Sequence, residues 1–226
     1  VYRMIAFPRH SPAPESLTTC DLPAVDVERW NQTFLTFLKS VMVGQERDRL
    51  VIKSPPHTAR IAHLCELFPR ARFVHVVRDP VSVFPSSMRL WTRLATDHGL
   101  QLPRAVEVEK FVTDTFVQMY ESFESQRDQI PSDRICDVRY EQLVADPVGQ
   151  LERVYQRLDL GDFASVREPL KRRAEAMSDY QVNQYEVDDK LRRHLEEVWG
   201  DYCQRYGYGS SATDEPPSVP SRRLAG

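Results

Sequence analysis

The chain is short of several things, and each shortage narrows what it does. Its 226 residues include only eight glycines and no G-x-x-x-x-G-K-[ST] run, so the phosphate loop of ATP-type enzymes is missing. Four cysteines (Cys20, Cys65, Cys136, Cys203) lie far apart with no C-x-x-C pair. That spacing argues against a zinc knuckle or a disulfide framework and for free thiols, hence for a reducing, cytoplasmic setting. No apolar run approaches the roughly 18 residues that span a bilayer. His63, His75, His98 and His194 have no neighbours at ligand spacing, so no metal is expected. The net charge is −3, which gives no basic face for nucleic acid or an anionic membrane. The opening VYRMIAFPRH has neither an initiator methionine nor a signal sequence. With 41% hydrophobic residues the chain can still bury one large core.

What is present is concentrated in residues 50–87, LVIKSPPHTARIAHLCELFPRARFVHVVRDPVSVFPSS. The stretch reads as strand, loop, helix, strand, loop, helix, and each apolar run ends in a cation, Lys53 or Arg78. Open parallel sheets bind ligands at the carboxyl ends of their strands. A cation delivered there beside a new helix N-terminus suits a phosphate-rich anion; two surface cations at strand ends are the plainer alternative. Asp79 fits an N-cap and Pro80 the first helical position. Ser82 and Ser86, four residues apart, share one helix face. A guanidinium fork, serine hydroxyls and free backbone amides would together cage a phosphate.

Arg78 and Ser86, in RDPVSVFPSS, resemble the 3′-phosphate motif of sulfotransferases, enzymes that use 3′-phosphoadenylyl sulfate as sulfuryl donor. LVIKSPPHTARI is similar to the Lys-Ser-Pro segment of the bacterial and Golgi-type branch. VRYEQLVADPVGQLERVYQRLDL (residues 138–160) resembles the family's strand that ends in Tyr-Glu-Asp-Leu. The resemblance implies an α/β fold: a parallel β-sheet flanked by helices, of the P-loop nucleoside-kinase type. It implies that Arg78 and Ser86, with Ser82, hold the 3′-phosphate, and that Tyr140 meets the adenine. Lys53 would neutralise charge on the leaving phosphate. His57 has three readings: general base, contact at the helix start, or packing. The family's 5′-phosphosulfate loop is not visible, so the expectation is an N-terminally truncated domain that keeps the 3′ half of the donor site.

Along the chain, helices are expected at about 25–44, 58–68, 80–95, 106–128, 147–158, 162–177 and 188–206, with strands at 49–53, 72–77 and 134–139. The aromatic stripe Val27, Trp30, Phe34, Phe37, Leu38 and Val41 marks a core face on the first helix. Pro85 is expected to kink the third. LATDHGLQLPRA (residues 94–105) is either a lid over the acceptor or an ordinary surface loop. Arg172 and Arg173 either reach the 3′-phosphate or lie on a solvated face. Residues 1–207 form the expected domain and 208–226 a disordered tail. The expected function is sulfuryl transfer to a hydroxyl or amine on a small-molecule or carbohydrate acceptor. The alternatives are a non-catalytic nucleotide-binding module and a nucleotide-dependent phosphotransferase of similar topology.

Overall fold

The structure, a computed structural model, describes residues 5–8, 17–20, 22–45, 49–177 and 188–209. Helix α1 (Ala24–Gln45) is followed by residues 49–54 without regular structure, a 3-10 turn (Pro55–Arg60) and α2 (Ile61–Leu67). Strand β1 (Phe73–Val77) is followed by α3 (Pro80–His98) and α4 (Ala105–Arg127), then by β2 (Ile135–Arg139). Among the described residues five helices complete the order: α5 (Tyr140–Ala145), α6 (Pro147–Leu158), α7 (Ala164–Ala176), α8 (Asp189–Val198) and α9 (Gly200–Tyr206).

The two strands pair in parallel, with Phe73 opposite Ile135 and Val77 opposite Arg139. Because side chains alternate, one face carries Phe73, His75, Val77, Ile135 and Asp137, and the other Val74, Val76, Cys136 and Val138. The first face meets α4 through Phe123, the turn after α4 through Ile130, and α2 through Ile61. The second is covered by α6 through Val154 and Leu158, but only beneath β2. Val74 and Val76 on β1 remain about half exposed. A third cluster joins α3, α4, α8 and α9 around Phe84, Val108, Val112, Leu195 and Trp199.

Local chemistry sets where the helices start. Asp79 accepts the Val81 amide at 2.9 Å, Asp146 that of Gly149 at 2.9 Å and Asp188 that of Leu191 at 2.7 Å. Proline occupies the first position of α3 and of α6, where its missing N–H is not needed. The α3 helix runs through Pro85 to His98.

Three expectations are corrected. Residues 49–53 form no strand: among the described residues the sheet has two strands, and Val51 is 97% exposed. An apolar extended run becomes a strand only when a neighbour satisfies its backbone groups. Lys53 therefore ends an exposed segment and not a sheet strand, and no strand–helix–strand unit links it to β1. The last helix is broken at Trp199, whose backbone leaves helical geometry (φ −122, ψ 26) and whose buried ring stacks on Phe116 at 3.9 Å. On α1, Leu38 is buried but Phe37 is 59% exposed, because only the side bearing Trp30 and Phe34 meets the 3-10 turn and α2. No helix among the described residues is long and apolar enough to cross a membrane.

Candidate functional site

The parallel register sets the site. Val77 and Arg139 are partners across the sheet, so the next residues, Arg78 and Tyr140, emerge side by side at the carboxyl edge. The Arg78 guanidinium lies over the Tyr140 ring, 4.1 Å from its centroid. Stacking holds a guanidinium through its flat face and leaves its edge of N–H donors free. Among the described residues no carboxylate pairs with that edge.

The main chain around Arg78 is held as firmly as its side chain. The Arg78 N–H donates to the Tyr202 hydroxyl at 3.0 Å, and the same hydroxyl donates to the Arg78 carbonyl at 2.8 Å. The Asp79 N–H donates to Glu141 Oε1 at 2.9 Å. The Glu141 Oε2 atom accepts from the Tyr208 hydroxyl at 2.9 Å. Gly207, at φ +70, makes the left-handed turn that brings Tyr208 back over Tyr202, the rings nearly parallel at 6.0 Å.

Ser82 and Ser86 lie on α3, half-buried, and neither hydroxyl has a hydrogen-bond partner among the described residues. Ser86 is about 9 Å along the axis from the start of α3, at 1.5 Å per residue. The helix amides are not free as expected: Val81 N–H is taken by the Asp79 carboxylate, and Ser82 and Val83 N–H by the Asp79 carbonyl. An anion here is left with side-chain donors.

Lys53 and His57 occupy a second location. Lys53 is exposed with no ion pair among the described residues. The His57 N–H donates to the Ser54 carbonyl at 3.0 Å, starting the 3-10 turn, and its ring meets Phe34 edge-on at 5.4 Å. Ser122 and Gln126 of α4 fix this turn by donating to the Ala59 carbonyl. Burial, and then the charge of Arg60, lower the His57 pKa below its ordinary value. Among the described residues its Nδ1 is buried without a partner, so an imidazolium would carry an unmatched buried donor. No hydrogen bond, ion pair or ring contact among the described residues joins this pair to Arg78, Ser82, Ser86 and Tyr140.

Sequence reasoning missed Tyr202, Glu141 and Tyr208. Glu141 was within reach, since it follows Tyr140 in the strand-end block. Tyr202 is 124 residues from Arg78, and nothing local marks it. Arg172 and Arg173 are exposed on α7. Residues 210–226 of the expected tail lie outside the described residues. A cavity of about 660 Å³ opens between α4 and α9, but Glu121, Glu124, Glu197 and Asp201 line it against one Arg205. That charge repels a polyanion, so this cavity is not the anion site.

A family model described as the sulfotransferase family matches residues 5–165. The chain is 37% identical over 216 residues to omega-hydroxy-beta-dihydromenaquinone-9 sulfotransferase Stf3 of Mycobacterium tuberculosis and to the protein of that name from Mycobacterium bovis. The match covers 95% of the chain and 55% of either relative, so the chain spans about half the length of these curated relatives. A crystal structure of sulfotransferase STF9 from Mycobacterium avium superposes with a TM-score of 0.55 at 19% identity. It covers 72% of this chain and 43% of that one, a likeness of fold.

Proposed function

The chain belongs to the sulfotransferase family, and we propose that it transfers a sulfuryl group from 3′-phosphoadenylyl sulfate to an acceptor hydroxyl by in-line displacement. The observation that carries this reading is Arg78: a guanidinium stacked on Tyr140 at a parallel-sheet edge, with no carboxylate among the described residues to satisfy its donors. Such a group is prepared for an external anion, and a phosphate matches its planar fork. In the proposal Arg78 takes the 3′-phosphate with the hydroxyls of Ser86 and Ser82. Tyr140 keeps its hydroxyl and its other face for the adenine.

Lys53 supplies a mobile positive charge to the bridging oxygen as the bond from sulfur to phosphate breaks. The acceptor oxygen forms the new bond to sulfur and loses its proton to His57. The lowered His57 pKa supports this role by keeping the ring in its free-base form at neutral pH. No metal is called for in this scheme, because protein cations carry the charge.

The name of the curated relatives specifies an omega-hydroxylated menaquinone as acceptor. That favours a hydroxyl on an apolar molecule over a carbohydrate or an amine. The exposed leucines Leu100 and Leu102 on the loop between α3 and α4 suit such an acceptor and support the lid reading. Residues 1–207 are assigned to the sulfotransferase domain, and the free thiols favour the cytoplasm as its compartment.

Calorimetric titration of the natural full-length protein with 3′,5′-adenosine bisphosphate tests the donor assignment. Binding is expected, and Arg78→Ala weakens it by at least about 1.5 kcal/mol, the worth of a charge-assisted hydrogen bond. Equal affinity of a folded Arg78→Ala variant overturns the assignment.

A further inference from the structure

Arg78 is anchored twice, and the second anchor comes from the far end of the chain. Tyr140 supports the guanidinium, but a long side chain is aimed only as well as its Cα–Cβ bond is fixed. The Tyr202 hydroxyl meets both main-chain groups of this one residue, accepting from its N–H at 3.0 Å and donating to its C=O at 2.8 Å. Those groups belong to the two peptide planes that flank the Arg78 Cα, so tying both to one oxygen restricts φ and ψ there. A phenol is suited to this, since it has one proton to give and lone pairs to receive with. Burial, then the neighbouring Tyr120, push the Tyr202 pKa far up, so the hydroxyl keeps the proton that it donates.

The contacts close into a circuit. Glu141 takes the next amide, that of Asp79, and also the hydroxyl of Tyr208, whose ring lies parallel to Tyr202. On its other edges the Tyr202 ring meets Phe116 at 5.0 Å and Tyr120 at 4.5 Å. Tyr202 is therefore wedged by packing before it touches Arg78, and is only 6% exposed.

We propose that Tyr202 is a positioning residue for the donor, fixing the main chain of Arg78 so that its guanidinium meets the 3′-phosphate, with Glu141 holding the adjoining amide. The proposal rests on the reading of Arg78 as the 3′-phosphate ligand, and a ratio of affinities tests the two separately. The ratio compares 3′,5′-adenosine bisphosphate with adenosine 5′-monophosphate, which lacks only the 3′-phosphate, on the natural full-length protein by calorimetry.

Arg78→Ala should bring the ratio close to one; an unchanged ratio there refutes the Arg78 reading itself. Tyr202→Phe keeps the ring and removes the hydroxyl. It should lower the ratio by about three- to tenfold, the worth of one or two neutral hydrogen bonds, with affinity for the monophosphate unchanged. Tyr206→Phe is the control, because the Tyr206 hydroxyl donates to Glu124 and not to Arg78; its ratio should match the parent protein. Glu141→Ala, at an exposed position, provides a second reading that does not disturb the core and should also lower the ratio. If Tyr202→Phe does not fold, Glu141→Ala decides. An unchanged ratio in the folded variants overturns the proposal, and so does an equal loss for both nucleotides, which marks general loosening.

Discussion

Asp137→Asn offers the sharpest test of how the sheet is held. Asp137 lies on the face of β2 that meets α4. It accepts from His75 Nδ1 at 2.8 Å and from Arg127 Nη1 at 3.0 Å, with Arg127 Nη2 on its second oxygen. Burial works against its ionisation, but hydrogen bonds from His75 and Arg127, with their charges, outweigh that and bring its pKa down to about 2. Against an unfolded value of about 3.9, the depression is worth about 2.5 kcal/mol at 1.36 kcal/mol per unit. A carboxyl held low in the fold stabilises fully above its unfolded pKa and loses that contribution as pH falls toward the folded one. Asparagine does not titrate in this range and also leaves Arg127 without its counter-charge. We expect Asp137→Asn to lose about 3 kcal/mol at pH 7. The diagnostic is the difference between parent and variant, measured by urea unfolding followed through tryptophan fluorescence. It should shrink by about 1.5 kcal/mol between pH 5 and pH 2.5, as linkage requires. A difference that stays constant over that range would refute the view that the depressed carboxyl stabilises the sheet.

With His57 kept below its usual pKa by burial and Arg60, the acid limb of the pH–rate profile should fall below about pH 6.5. His57→Gln should lower the rate and remove that limb, and a limb unchanged in the variant would exclude His57 as the base. Trp199, 2% exposed and stacked on Phe116, joins α8, α9 and α4. Trp199→Ala should cost about 3–5 kcal/mol in thermal or urea unfolding, and a loss under 1 kcal/mol would show that the third core cluster does not depend on it.

What the sequence disclosed follows from how local each signal is. The α3 boundary was legible because Asp79 and Pro80 cap within two residues of themselves. The α6 start was legible for the same reason at Asp146 and Pro147. Strand β1 was legible because RFVHVV is short, β-branched and followed by that cap. Residues 49–53 carry the same local signal and form no strand, since pairing depends on a neighbour that propensity does not specify. The short helix α5, which begins at Tyr140, was hidden because one side chain was read for its chemistry and not its backbone. The break at Trp199 was also hidden: Leu191, Leu195, Val198, Tyr202 and Tyr206 keep helical spacing across it, and only the packing of Trp199 on Phe116 reveals the turn.

The same division between local and distant signals runs through the candidate site. Arg78, Ser82 and Ser86 sit within nine residues because one strand–helix junction presents them all. The frame around them is remote, drawn from α5, α9 and Tyr208. In the proposed reading, that frame also explains how a chain of net charge −3 can offer a site to a polyanion. Asp79 follows Arg78 directly and Glu141 reaches the same junction from α5, yet neither pairs with its guanidinium. The Asp79 carboxylate accepts from the Val81 amide, and the two Glu141 oxygens from the Asp79 amide and the Tyr208 hydroxyl. Elsewhere Asp137 is matched by Arg127, Glu152 by Arg167 and Glu124 by Arg205. Carboxylates occupied by amides, hydroxyls and other arginines do not compete for Arg78. Among the described residues the guanidinium keeps its donors unpaired because the acids at this junction, Asp79 and Glu141, are already satisfied.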